Sequence, residues 1–301
     1  MGRGPWSKLG SNVKKFVKRS PPVRTSDNGN PNSPPPTDVD PVVIRSPAND
    51  RVRQLIRWRD NNRARRRAGV AIVDSWRLVR RLIDTGQTID ELFVREDERW
   101  SGQQTSSIHR VTRVSADMMM RIAYGQTDSP VVAVIKTQTP PIQSLSIPAG
   151  GFILVADRIE KPGNLGAIYR TADAAGVAAV ILCGGGDRSH PTAIRNSQAA
   201  SLLLPTATAV QTDCADVLCG AGYRVFAARV EASMPMDDVD LTGNVAIVVG
   251  NEAEGLADRW QSSDVAGVHI PMAGTVDSLN VSVSAAVLMM EAARQRRQRR
   301  D

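Results

Sequence analysis

Residues 270–286 read "IPMAGTVDSLNVSVSAA". The stretch opens like the end of a buried strand, passes a Gly-Thr turn, and enters small and polar residues where a helix should begin. Ser278, Asn280, Ser282 and Ser284 fall on the first turns of an otherwise apolar C-terminal helix, Ser278 to Arg296. A helix start carries unpartnered backbone N–H groups and a partial positive charge. Two readings follow. Asp277 or Ser278 caps the helix and the serines are small packing residues, or the helix start holds a polar or anionic ligand.

Working outward, residues 152–301 alternate strand and helix patterns: "FILVAD", a helix from about Leu165 to Ala175, "VAAVILCG", a short helix in "PTAIRNSQAA", "YRVFAARV", "NVAIVVG", a helix in "GLADRWQS", "GVHIPM" and the final helix. Repeated strand–helix units with apolar strands predict an α/β fold on a parallel sheet covered on both faces. Such sheets bind ligands in the loops beyond the carboxyl ends of their strands. Residues 49–141 predict a smaller α/β unit, and Pro140, Pro141 and "SIPAGG" mark 142–151 as a linker. Residues 1–48 are rich in Pro, Asn, Ser and Gly and read as a disordered basic tail.

The formal charge is +7, and more than half of the 38 Lys and Arg residues fall within 1–26, 51–67 and 294–300. Clustering of this kind fits either a polyanion or solvated tails. For 51–67, which includes Arg63, Arg65 and Arg66, the favoured partner is RNA. Aromatic residues make up 4%, which argues against a surface of base-stacking rings. Cys183, Cys214 and Cys219 form no CxxC pair and suit a reducing compartment. No metal-ligand spacing, membrane-length apolar run or signal peptide is present; "MGRGPW" does not meet the myristoylation pattern. The expected location is cytoplasmic, although the acid-free N-terminus slightly resembles a transit peptide.

Three loops after three strands carry the polar exceptions. After "FILVAD" comes "RIEKPGNLGAIYRTADAAG", with Asn164 as a possible cap, Gly166 permitting close approach, and Arg170 in the second turn of an otherwise small and apolar helix. Either Arg170 is a surface residue of an amphipathic helix, or it is buried and needs a partner, for which phosphate is a good one; the small, apolar sequence around it favours the second. After "NVAIVVG" comes "NEAEGLADRW", where Gly250 ends the strand and Glu252 precedes a helix. The opening stretch is the third. None is a GxGxxG fingerprint, so a nucleotide-dependent dehydrogenase is disfavoured. "CGGGD" at 183–187 is read as a turn, as is His190.

"NLGAIYRTADAAG", "VVGNEAEGL" and "IPMAGTVDSLNVSVSAA", in this order and spacing, resemble the three motifs of the SpoU (TrmH) branch of the SPOUT RNA 2′-O-ribose methyltransferases. "NNRARRRAGVAIVDSWRLVRRLI" more loosely resembles that family's ribosomal-protein-like substrate-binding domain. The resemblance implies a deep trefoil knot in the C-terminal domain, S-adenosylmethionine held in the knot, and a homodimer whose active site uses both chains. It implies methyl transfer to a ribose 2′-OH, with rRNA ahead of tRNA as substrate and a non-catalytic RNA-binding protein as the remaining alternative. Carried over, Gly250, Ile270, Met272 and Leu279 line the cofactor pocket, the loop wrapping the adenosine part. Arg170 activates the hydroxyl, Asn164, Ser278 and Asn280 complete the site, and Glu252 fixes Arg or Asn in place. Arg195 matches a position that contacts RNA in related enzymes, though Gln198-Ala199-Ala200 departs from the usual pattern after it.

Overall fold

In the computed structural model of the chain the described residues are 39–98, 105–126, 128–147, 149–251 and 255–299. Most of the predicted basic tail, Glu252 and Arg300 lie outside them.

The first lobe is a five-stranded sheet with strands β1 (Val39–Ile44), β2 (Val70–Val73), β3 (Glu91–Arg95), β4 (Val111–Val114) and β5 (Val131–Lys136), in the order β1-β4-β3-β5-β2. β5 runs antiparallel to β2 and β3, and the other pairs are parallel. Alternation in β5 sends Val132 and Val134 to one face and Val131, Ala133 and Ile135 to the other, as a period of two requires. The first face packs on α1 (Asp50–Asp60) and α4 (Ala116–Ile122) through Val52, Leu55, Met118 and Ile122. The second packs on α3 (Trp76–Asp84). Strand β1 corrects the sequence reading, which placed Val39–Ile44 in the tail.

The second lobe is a seven-stranded sheet: β6 (Phe152–Asp157), β7 (Ala179–Cys183), β8 (Thr206–Ala209), β9 (Arg224–Ala228), β10 (Met234–Pro235), β11 (Val245–Val249) and β12 (Val265–His269). The order is β10-β12-β9-β11-β6-β7-β8 and every pair is parallel. Phe152, Leu154 and Ala156 pack under α5 (Pro162–Ala175) and α9 (Val281–Gln298), while Ile153 and Val155 face α8 (Gln211–Gly220). The sheet is thus covered on both faces, as expected. The segment read as a helix in "GLADRWQS" is only a 3-10 turn, Asp258–Gln261.

One member of the C-terminal basic run is turned inward, while Arg294, Arg297 and Arg299 are exposed. Arg296 donates to the carbonyls of Leu241, Gly243, Gly150 and Gly151 and lies 5.1 Å from the Phe152 ring centroid. Arg294 pairs with Glu291, and Arg299 with Thr242. The Arg296 contacts fasten α9 over the start of β6, a structural role that charge alone did not suggest.

The two lobes share a core. Ile194 from α6 (Pro191–Asn196) and Leu202 from α7 (Ala200–Leu203) join the cluster that covers the α3 face of the first sheet. Two ion pairs frame this contact. Arg65, on α2 (Asn62–Ala68), has 0% side-chain exposure and donates to Asp187 at 2.5 Å. Arg195 donates to both oxygens of buried Asp74, at 3.1 and 2.5 Å, and to the Tyr124 carbonyl at 2.9 Å. Arg65 is therefore withdrawn from the RNA-facing set, because no part of its side chain meets solvent. Arg195 is turned inward as a clamp, while Arg63 and Arg66 are exposed as expected.

Removing one partner of a buried pair strands the other charge. Asp187→Ala should lower unfolding stability by about 3–5 kcal/mol, read as a lower urea midpoint; a change within error would mean that Arg65 finds other acceptors at no cost. His190, not a plain turn residue, caps α6: its Nδ1 accepts the Thr192 N–H at 3.1 Å. Burial, then the Arg65 charge, hold its pKa below the ordinary value, with Asp187 opposing. The unfolded chain then takes up the proton first as pH falls below about 6.5. Stability present above that value is lost on the way down to the folded-state pKa. Wild type should lose more melting temperature between about pH 7 and pH 5 than His190→Asn, which keeps a capping side chain; parallel losses would remove His190 from this role.

Candidate active site and cofactor cavity

All three polar loops emerge at the carboxyl edge of the second sheet, after β6, β11 and β12. β6 and β11 are neighbours, paired from Phe152↔Val245 to Ala156↔Val249. The chain order reverses there, since β7 lies on the far side of β6 and β9 on the far side of β11. A crevice at such a reversal is the usual ligand site of an open parallel sheet.

The crevice holds a cavity of about 710 Å3 lined by Gly250, Ile270, Met272, Ser278 and Leu279, with Val249 and Val268 among its apolar walls. All four residues expected to hold the cofactor therefore face one space. Its size suits a drug-sized ligand. Gly250 is needed for its shape: a Cβ there would stand 2.6 Å from Leu256 Cδ2 and 2.9 Å from the Gly255 carbonyl oxygen. Among the described residues, no backbone amide of 271–279 donates a hydrogen bond to another backbone group. Arg229 and His269, at the ends of β9 and β12, also line the cavity, and each carries a buried ring or guanidinium nitrogen, Nε and Nδ1, without a partner. Apolar walls, free backbone groups and orphaned polar atoms together fit a nucleoside-bearing cofactor such as S-adenosylmethionine.

Two expected catalytic side chains meet on the rim. Asn280 Nδ2 donates to Asn164 Oδ1 at 3.4 Å. Asn280 is also the N-cap of α9, accepting from the Ser282 amide at 2.9 Å and its hydroxyl at 2.6 Å. The capping reading of the opening stretch thus survives, moved from Asp277 or Ser278 to Asn280, and α9 starts at Val281. Asn164 is not a cap: α5 begins earlier, at Pro162, and Lys161 occupies the cap position. Gly166 lets α5 lie against α6, since a Cβ there would be 2.7 Å from the Ala193 carbonyl oxygen.

Arg170 does not join this group within one chain. It lies six residues beyond Asn164 on the same helix, a rise of about 9 Å, and is exposed rather than buried. Among the described residues it makes no ion pair. Glu252 lies outside the described residues, so its place in the site is open.

Sequence reading missed Arg229, His269 and Arg158. The signal for Arg229 is Gly267, in the middle of a strand, where glycine marks a close approach: its Cβ would sit 3.0 Å from Arg229 Cζ. Arg158 turns the chain out of β6 with φ 53°, unusual for a residue with a Cβ, and accepts the Asn251 side-chain N–H at its carbonyl, 3.2 Å away.

The family described as "SpoU rRNA Methylase family" matches residues 151–290, and an "MRM3-like substrate binding domain" matches residues 49–133. The chain is 34% identical to the 23S rRNA (guanosine-2′-O-)-methyltransferase RlmB of Vibrio vulnificus (strain CMCP6), over 63% of this chain and 78% of that protein. It is 25% identical to the 23S rRNA (guanosine(2553)-2′-O)-methyltransferase RlmP of Bacillus subtilis (strain 168), over 82% and 97%. The crystal structure of the SpoU methyltransferase AviRb from Streptomyces viridochromogenes, in complex with the cofactor AdoMet, superposes with a TM-score of 0.74 at 26% identity, covering 82% of this chain and 98% of that one. On its matched domains, its relatives and its fold, the chain belongs to the SpoU rRNA methylase family.

Proposed function

We propose that this chain is an S-adenosylmethionine-dependent methyltransferase that modifies a ribose 2′-OH of ribosomal RNA. The observation that carries the reading is the cavity at the β6–β11 reversal, which gathers Gly250, Ile270, Met272, Ser278 and Leu279 beside the Asn164–Asn280 contact. The names of the relatives supply the substrate class.

The bound cofactor supplies an electrophilic methyl group on a sulfonium. The chain's part is to place a hydroxyl in line with it and ease removal of the hydroxyl proton. No histidine lies in the three loops to act as a base; His269, at the end of β12, lines the cofactor cavity, and Asn164 and Asn280 are not among that cavity's lining residues. A guanidinium is effectively always protonated, so Arg170 acts by gripping the phosphate next to the target ribose and polarising the 2′-OH. Asn164 and Asn280 orient that group, with Ser278 on the cavity wall and Glu252 holding Arg or Asn.

Arg170 reaches such a site through a second copy of the chain. α9 carries exposed Val283 and Met290, about two turns apart on one side of the helix, and α9 lies beside α5, the helix of Arg170. An apolar stripe next to a free arginine suits a homodimer in which each copy lends its arginine to the other. The knot expected from the family would be formed by the 270–280 segment that closes the cavity before α9. Arg63 and Arg66 remain RNA-facing residues of the substrate lobe.

Labelled cofactor, purified chain and separate pools of 23S rRNA and tRNA test the reaction, with the site mapped by resistance of the methylated linkage to alkaline cleavage. Label in rRNA is expected; label confined to tRNA would overturn the substrate. Arg170→Ala should cut transfer by about 100-fold or more with cofactor affinity by calorimetry within about twofold of wild type. Near-normal turnover would remove Arg170 from the chemistry. Met290→Arg should convert the dimer to monomer in sedimentation equilibrium, and a dimer of unchanged strength would place the interface elsewhere.

A further inference from the structure

An open groove of about 660 Å3 lies between the two lobes, on the β7–β8 side of the second sheet and outside the cofactor cavity. Arg66 and Arg67 line it from the first lobe, and the Gly184–Gly186 turn and Arg188 line it from the second. Three features suit it to an anion. The first is charge. Arg66 and Arg67 are exposed and pair with no carboxylate among the described residues. Asp187 also lines the groove, and its carboxylate is already held by Arg65. The second is the groove floor. Arg188 is 8% exposed and donates only to neutral acceptors: the Thr139 and Thr137 hydroxyls at 2.9 and 2.8 Å, and the Gln138 and Ser201 carbonyls at 2.6 and 2.8 Å. Among the described residues no carboxylate pairs with it directly and Asp187 acts on it only at a distance, so it adds positive potential at the floor.

The third is the "CGGGD" turn. Gly184, Gly185 and Gly186 have φ of 65°, 156° and 87°. Among the described residues their amides donate no hydrogen bond to any backbone acceptor. Consecutive free amides in a turn of this kind form an anion-binding concavity. A side chain would obstruct two of the three positions: a Cβ on Gly184 would lie 3.0 Å from Arg158 Cγ, and one on Gly186 3.3 Å from the Ile159 carbonyl oxygen. These same contacts locate the groove. The turn packs against Arg158, Ile159 and Leu165, the residue after Asn164. The proposed reaction centre at the start of α5 therefore lies between the groove and the cofactor cavity.

We infer that this groove is a subsite for the RNA phosphodiester backbone, in which Arg66, Arg67 and the Gly184–Gly186 amides hold phosphates flanking the nucleotide presented at Asn164. It rests on the reading of the chain as an RNA methyltransferase and adds a register to it: the strand enters along β7 and β8 and reaches the methyl donor across the start of α5. Contacts of this kind position the substrate without reading its bases.

The test uses the full chain and a 23S rRNA transcript. Binding is measured over a salt series for wild type, for Arg66→Ala/Arg67→Ala, and for Arg77→Ala/Arg110→Ala, exposed residues outside the groove lining. Loss of two phosphate contacts should flatten the salt dependence of log K by about 2 and leave cofactor affinity unchanged. The second pair should keep the wild-type slope. Hydrogen exchange with and without transcript should show protection at 184–186. An unchanged slope in the groove variant, equal flattening in both pairs, or no protection at the turn would overturn the subsite. A wild-type chain that methylates rRNA under those outcomes keeps the functional reading; one that neither binds nor methylates rRNA loses both.

Discussion

A guanidinium with no access to water must find its counter-charge inside the protein, and Arg65 finds Asp187 across the lobe boundary. A single exposed ion pair would fix little. This one is buried, so displacement of either lobe would leave a charge unpaired in a dry interface. With Arg195 on Asp74 and the apolar contact of Ile194 and Leu202 with the first sheet, it sets where the substrate lobe stands relative to the carboxyl edge of the second sheet. Every element of the proposed recognition surface depends on that placement. Asp187 follows the glycine turn directly, and Arg66 and Arg67 follow Arg65. The pair that joins the lobes thus also aims the arginines and the turn at the same space.

The architecture of the second lobe was legible because a parallel sheet imposes a plain demand on sequence. "FILVA" and "VAIVV" are apolar at every position, since both faces are covered, and this alone separates them from the alternating strands of a one-sided sheet. Polar residues were then left to gather at one edge, where they are found. Helix starts were less legible. Pro162 is a first-turn proline, compatible with helix because its missing N–H needs no partner there, yet the small polar residues after it delayed the expected start to Leu165. β1 was lost inside a proline-rich context, and β4, β8 and α8 are short or made of small residues that carry little periodic signal.

The site was legible to a different degree. The cavity residues were identified by motif, and the chain does bring Gly250, Ile270, Met272 and Leu279 to one space. What no single-chain pattern conveys is which member of a charge run turns inward. Arg63, Arg65 and Arg66 are chemically alike, and only the helical phase of α2 together with an aspartate 122 residues away separates the buried clamp from its exposed neighbours. The same holds at the C-terminus, where Arg296 is consumed by carbonyls at the start of β6 while Arg297 stays exposed. Net charge predicts a polyanion partner; it does not identify the residues left free to meet one.

The position of Arg170 connects these levels. Its helix is buried on one side by small residues, so the arginine is turned outward by the same amphipathic pattern that packs Ile168, Tyr169 and Ala172 against the sheet. Tyr169, beside it, is fully enclosed; its hydroxyl lies 3.1 Å from that of Thr206, and burial pushes its pKa up to about 12. That neighbour fixes the rotation of α5, and with it the outward direction of Arg170. An arginine so held cannot serve the Asn164–Asn280 rim of its own chain by a change of rotamer alone, because it projects from a different part of the helix surface, about 9 Å along the axis. On the proposed reading, catalysis by Arg170 and assembly of two copies are therefore one requirement: a chain that stays monomeric would keep its cofactor cavity but lack the group proposed to act on the hydroxyl.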